Sequence, residues 1–370
     1  MTLLIVVLVF GGMVFLHEFG HFLAARFFGI EVEEFGFGLP PRLLTMFRWK
    51  GTDFTLNALP IGGFVRPKGE NDPNVLDGLA AANPWKRLGV LFAGPFMNLL
   101  TAVVVMSIII AQAGVAVEGQ VLISNVSDAS PAQQAGIKAN DILIAVNGVP
   151  VSSLDNARAQ IHAGVDTQLE LTLLRNGQQI KLTAMPLSSR PAEQGALGVG
   201  LSYPRRPATI GEIVSGGFFY TGSQALSILY LPIGLVQGAI APSEARLIGL
   251  KGIYDIFGQA VQRDVQSRQT VVPAVPTNSG QAAAPAQEPT NYILSIVAML
   301  SVSLAVFNLL PIPALDGGRI LFTLPEILFR RRIPYKLENT INGVAMLLLI
   351  ALMVFINAMD FINPANIKLP

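Results

Sequence analysis

No cysteine occurs in the chain, which excludes disulfide staples, thiolate metal sites and a cysteine nucleophile. Histidine is nearly as scarce: His17, His21 and His162 are the whole supply, so an imidazole-based metal site has few potential members. Charge is thin too. Charged residues make up 13% of the 370 positions against 51% hydrophobic, too apolar for a soluble protein of this size. The chain is therefore read as a membrane protein. With a net charge of +1 and no Lys/Arg stripe carrying interleaved aromatics, no nucleic-acid partner is expected. The N-terminal segment lacks the basic n-region and small-residue cleavage site of a secretory signal and is expected to be retained.

What the sequence does have is long apolar runs. Four stretches, about 3–25, 88–113, 292–315 and 341–359, are long enough to cross a hydrocarbon core of about 30 Å, and the last three carry no charge. Ile213–Ala241 is also uncharged but is diluted by glycines and polar residues and interrupted by Pro232. Basic residues set the orientation. Arg26, Arg42, Arg48, Lys50, Arg66, Lys68, Lys86 and Arg87 fall between the first two spans, and Arg319, Arg330, Arg331, Arg332 and Lys336 follow the third. Both connections are expected on the cytoplasmic side, with the N-terminus and the long 114–290 insert outside.

Part of that insert has a different texture. Residues 117–203 alternate in the β manner, carry turn signals at Asn147-Gly148 and Asn176-Gly177, and include a short helical pattern at Ser153–Ala163. They read as a small soluble α+β domain. The stretch SPAQQAGIKANDILIAVNG (130–148) resembles the PDZ domains of bacterial envelope proteases, which implies capture of extended peptide tails by strand addition, or a spacer that only gates access. Residues 271–290 are Pro/Ala/Gln-rich and read as a disordered linker.

The chemistry starts with HEFGH at 17–21, which directly follows fourteen uncharged residues, Leu3 to Leu16. His17 and His21 are four positions apart, so on a helix they share one face and can reach one ion, while Glu18 falls beside the ion's open position. Ionisable groups at membrane depth cost about 2.5–3.5 kcal/mol each, so they persist mainly where they serve a site. Two histidines leave a catalytic zinc one protein ligand short. The third must be a carboxylate or an amide, and Asp316, in the Pro- and Gly-broken stretch NLLPIPALDGGRI (308–320), stands out among the membrane acids. HEFGH lies near the inner end of the first span. Asp316 can meet it only if the third span runs the same way, and this parity makes Ile213–Ala241 interfacial or re-entrant.

HEFGH in the first span, GPFMN (94–98) in the second and NLLPIPALDGG (308–318) in the third resemble the signature set of the site-2 protease family of intramembrane zinc metalloproteases, and the insert is similar to that of its bacterial PDZ-containing members. The resemblance implies Zn2+ held by His17, His21 and Asp316, with Glu18 as catalytic acid/base and Asn308 near the bound substrate. Asn98 offers a second amide for substrate or oxyanion, Gly94 allows close helix approach, Pro95 loosens the helix, and Pro311, Pro313 and Gly317 belong to the broken stretch around Asp316. EFGFGLPPRLL and residues 52–70, read as a strand, a Pro60–Gly63 turn and a second strand, are similar to the family's membrane-associated β-hairpin.

The expected architecture is a polytopic α-helical membrane protein of about four transmembrane helices with one inserted extracytoplasmic α+β PDZ-like domain and a cytoplasmic-side hairpin. The expected organisation is 1–113 with the first two spans and the hairpin loop (31–87), 114–205 the PDZ-like domain, 206–290 an interfacial or re-entrant helix plus linker (262–290), and 291–370 the last two spans. The expected activity is cleavage of single-pass membrane proteins in the lipid bilayer of the inner (plasma) membrane. A non-catalytic PDZ adaptor that binds peptide tails is the alternative.

Overall fold

The computed structural model describes residues 2–189, 195–239, 248–269 and 291–363. In chain order its elements are α1 (Thr2–Phe27), β1 (Val32–Trp49), β2 (Thr52–Pro67), α2 (Pro84–Ala113), β3 (Val115–Ala116), β4 (Val121–Val126), α3 (Pro131–Gln134), β5 (Ile142–Val146), β6 (Val149–Pro150), α4 (Leu154–Ala163), β7 (Leu169–Arg175), β8 (Gln178–Ala184), β9 (Val199–Ser202), β10 (Arg205–Arg206), α5 (Ile210–Val236), α6 (Leu250–Gln269), α7 (Tyr292–Leu309), α8 (Asp316–Phe329) and α9 (Tyr335–Ile362). Two units separate, one of residues 1–109, 211–265 and 291–370, the other of 110–210 and 266–290.

Five helices of the described residues, α1, α2, α5, α7 and α9, are long and apolar enough to cross a membrane. Four of these coincide with the expected spans; the fifth, α5, continues as a helix past Pro232, which forfeits a single backbone hydrogen bond there. The linker expected from about 262 is corrected for 262–269, which complete α6; residues 270–290 lie outside the described residues.

Within the first unit, contacts fix the helix directions. Gly20 of α1 meets Ala93 and Met97 of α2 while Phe28 meets Gly89, so α2 runs antiparallel to α1. Ile5, Val6 and Val9 near the start of α1 cluster with Ile293 and Ile296 near the start of α7 and with Ile256 and Phe257 of α6. Because Asp316, just past the end of α7, lies beside His17 and His21, α7 runs parallel to α1. The helix α5 starts against the end of α2, where Ser107 Oγ donates to Ile213 O at 3.3 Å, and reaches Val302 and Val306 through Ala225 and Ile228. The start of α6 is then tied to the end of α9, since Gly249 N and Gly252 N donate to the buried Asp360 carboxylate. Asp264 accepts likewise from Tyr292 N and Ile293 N at the start of α7. Carboxylates at helix N-termini meet both the orphan amides and the positive end of the dipole.

The hairpin closes at Lys50 and Gly51, both at positive φ (47° and 87°), the conformation a two-residue hairpin turn requires. The expected Pro60–Gly63 turn is instead a bend inside β2, with Gly62 at φ 90°. Its effect is topological: Phe35 is flanked by both Phe54 and Val65, and Phe37 by both Leu56 and Gly63. The first half of β1 is thus central, and residues 63–67 form a sheet edge. Phe35, 1% exposed, packs with Phe15 and Phe22 of α1 and with Phe37 and Phe54, which clamps the hairpin to the helix that carries HEFGH. Fully burying such a ring stabilises by about 1.5–3 kcal/mol.

The second unit is built on a six-stranded antiparallel sheet in the order β8-β7-β5-β4-β9, with β6 paired to β5. Asn147-Gly148 and Asn176-Gly177 turn at positive φ, where the sequence signals them. Ser153 caps α4 by accepting from Asn156 N at 3.1 Å. Leu171, Leu173, Val121 and Ile123 are essentially solvent-free in its core.

Candidate metal centre

The helical spacing of His17 and His21 puts their Nε2 atoms 3.1 Å apart. Asp316 Oδ2 stands 3.2 Å from the first and 3.4 Å from the second. Ligand atoms about 2.0–2.1 Å from a tetrahedral zinc stand roughly 3.3 Å apart, so the three atoms already occupy three corners of such a coordination shell. Among the described residues this is the one cluster of three potential metal-binding side chains.

Two backbone devices bring Asp316 there. The chain leaves α7 at Leu310 and folds back through Pro311 and Pro313, with Ala314 at φ 75° and its N–H donated to Asn342 of α9. Gly317 and Gly318 make that fold possible: a Cβ on Gly317 would stand 2.2 Å from Leu310 O, and one on Gly318 2.3 Å from Ile312 O. Gly94 acts similarly across α2. Its Cβ would lie 2.3 Å from His21 Nε2 and 2.8 Å from His17 Cε1, inside the ligand cluster. Pro95, one residue on, lacks the N–H that would bond Leu91 O, which relaxes the helix at the contact.

The other ring nitrogens are also held. His21 Nδ1 donates to Val90 O at 2.8 Å, which leaves Nε2 unprotonated in the neutral ring and open to a cation. His17 Nδ1 is 3.1 Å from the Asn98 amide, whose Oδ1 is buried without a partner. With that amide turned over, Oδ1 accepts from Nδ1–H and the Nε2 lone pair faces the cluster. Asp316 Oδ2 is likewise buried without a well-formed hydrogen bond although two imidazoles face it. An orphaned carboxylate oxygen facing two imidazoles fits a bound cation.

Glu18 is in the same cavity but outside the cluster of three. Its Oε2 accepts from Val65 N at 2.9 Å, on the outer edge of residues 63–67. The cavity, about 450 Å³, is lined by His17, Glu18, His21, Asn308, Asp316 and Arg319 among others. Asn308 is among the residues that line this cavity. Asn98, expected as a second amide, is 1% exposed and has its amide against His17 Nδ1, not among the residues that line the cavity. Sequence reasoning missed Val65 and Val90, because each contributes a backbone group that no side-chain identity signals. It also missed Arg319, whose ion pair with Glu70 borders the cavity.

A family profile described as peptidase family M50 matches residues 5–352. A protein of Clostridium perfringens named "putative zinc metalloprotease" is 34% identical over 368 residues, covering 98% of this chain and 99% of its own length. Proteins given the same description are 31% identical over 358 residues in Campylobacter jejuni, covering 94% and 90%, and 28% identical over 371 residues in Clostridium acetobutylicum, covering 99% and 98%.

Proposed function

The chain belongs to peptidase family M50 and is a zinc metalloprotease, and from that premise we propose that it is an intramembrane endopeptidase cutting single-pass transmembrane proteins, such as anti-sigma factors or signal-peptide remnants, after their outer portion has been trimmed. Its family and its several apolar helices make it a multi-pass membrane protein. One observation carries the proposal: three ligand atoms at tetrahedral spacing and one further carboxylate share a cavity between apolar helices.

His17, His21 and Asp316 hold the zinc. When bound, zinc supplies Lewis acidity that polarises a carbonyl and lets water deprotonate near neutral pH. Glu18 accepts the proton of the attacking water and returns it to the leaving amine, while the Val65 N–H fixes its carboxylate. Asn308 donates to the oxyanion as it develops. Asn98 and Val90 O keep both imidazoles in the ligating tautomer. A substrate helix must unwind before its amide is accessible, and the edge at 63–67 offers backbone groups to the unwound strand.

The basic residues after α1 and α7 support a cytoplasmic hairpin in the inner (plasma) membrane, with the second unit outside. The run 210–250 starts beside the end of α2 and finishes beside the end of α9, which supports α5 as a re-entrant excursion and not a net crossing. In the second unit, a cavity of about 640 Å³ between α4 and the edge strand β9 supports a PDZ-like filter or tail-binding groove.

The test is incubation of purified protein with a panel of single-pass membrane segments, with and without a chelator. Cleavage is expected from wild type alone, lost with chelator and in Glu18→Gln. Equal cleavage by Glu18→Gln would sink the mechanism.

A further inference from the structure

Where α1 ends against the hairpin turn, an open cavity of about 320 Å³ has an apolar wall of Phe22, Leu23 and Ile30 and a rim of Arg26, Trp49 and Lys50. The rim cations are organised. Arg26 donates to Lys50 O at 3.0 Å and lies 5.9 Å from the Trp49 ring centre, while Lys50 Nζ is 4.9 Å from the same ring. A third cation, Lys86, donates to Phe28 O at 3.2 Å at the same helix end. These bonds are to carbonyls, and among the described residues none of the three cations enters an ion pair. The acid on the rim, Glu31, is engaged by Lys68 at 3.0 Å. Two cations outside any such ion pair, Arg26 and Lys50, therefore line one apolar pocket, with Lys86 bonded to Phe28 O at the end of the same helix.

The surroundings place this rim at a membrane surface. Trp49 and Trp85 are the chain's two tryptophans, and both are exposed there (48% and 64%), with Phe27 exposed at 83%. Amphipathic rings of this type settle at the headgroup level, where long cationic side chains keep their stems in apolar contact and their charges in the polar layer. A ligand that fills both halves of the cavity has an apolar tail and an anionic head. We propose that the Arg26–Trp49–Lys50 cavity is a binding site for an anionic phospholipid, whose phosphodiester lies between the two cations and whose acyl chain follows Phe22 and Leu23. Bound lipid then bridges the end of α1 to the hairpin tip, within one element of HEFGH.

The test uses full-length protein carrying Trp85→Phe, so that Trp49 is the single fluorophore, in phosphatidylcholine vesicles with a minor fraction of brominated lipid. Brominated phosphatidylglycerol is expected to quench Trp49 more than the same fraction of brominated phosphatidylcholine, by on the order of fivefold for each engaged cation. Arg26→Gln/Lys50→Gln brings the two lipids to parity, while the charge-keeping Arg26→Lys/Lys50→Arg retains the preference. Circular dichroism of equal helical amplitude shows that the variants are folded. Equal quenching by both lipids in wild type, or an undiminished preference in the glutamine variant, overturns the site. Displacement of the brominated lipid by inorganic phosphate overturns it too, by assigning the cations to a soluble anion.

Discussion

Val65 gives its backbone N–H to Glu18 Oε2 at 2.9 Å, so a sheet edge holds the carboxylate proposed to move the proton. Because that N–H points away from β1, removing it costs the sheet nothing, and proline is tolerated at an edge. Val65→Pro is expected to lower kcat by about 10–100-fold, within the range that a positioned acid/base contributes. Val65→Ala keeps the amide and should stay near wild type. Steady-state cleavage rates at saturating substrate check both.

Asn98 and His17 lead to a prediction about metal. Outer partners of ligating histidines typically contribute about 10–100-fold in metal affinity. Asn98→Ala should weaken zinc binding by that factor, measured against a chromophoric chelator, whereas Asp316→Ala should abolish tight binding. Unchanged affinity in Asp316→Ala would remove the carboxylate from the ligand set.

Gly94 separates shape from chemistry. One added methyl would stand 2.3 Å from His21 Nε2 and 2.8 Å from His17 Cε1, so the two imidazoles must give way. Gly94→Ala is expected to reduce zinc affinity by more than about 100-fold, beyond the loss of an outer partner. Gly11→Ala, on the same α1 as the histidines but with nothing within 4 Å of the added carbon, should match wild type.

His17, Glu18 and His21 were legible because helical periodicity is local and their cost at membrane depth marks them. Asp316 was legible because prolines and glycines flag a broken span. The partners that hold them were not. Val65 reaches Glu18 across 47 positions and Val90 reaches His21 across 69, both through backbone atoms common to every residue type. The Pro60–Gly63 signal was read as a turn because glycine and proline punctuate both turns and bends; only pairing on both sides of Phe35 distinguishes the two. Hydropathy was also silent on how α5 packs, since its glycines and serines weaken the apolar signal while Gly217 seats it on Val103 and Ser107 of α2.

Glu34 supplies a pH dependence. Burial opposes its ionisation, but hydrogen bonds from Arg42 and Thr55 and the charges of Arg66 and Arg42 outweigh this and hold the carboxyl below its ordinary 4.5. A folded-state pKa below the unfolded one stabilises the hairpin above about pH 4.5, and that contribution is lost as pH falls through the folded value. Trp49 emission in the Trp85→Phe background should therefore show a transition below pH 4.5. Glu34→Gln, which cannot ionise, should lack it.

The absence of native cysteine makes the path of α5 testable with single introduced thiols. Gly211 opens α5 and exposed Leu250 opens α6, and their surroundings place both at the end of the bundle where α2 and α9 finish. Asn74, in the loop between the hairpin and α2, belongs to the opposite end, where Asn71 O accepts from Asn339 at the start of α9. In sealed, oriented vesicles a membrane-impermeant maleimide should label Gly211→Cys and Leu250→Cys from one side and Asn74→Cys from the other. Labelling of the 211 and 250 positions from opposite sides would make α5 a full crossing. It would also reverse α7 relative to α1 and so separate Asp316 from HEFGH, which zinc stoichiometry on the same preparations would register independently.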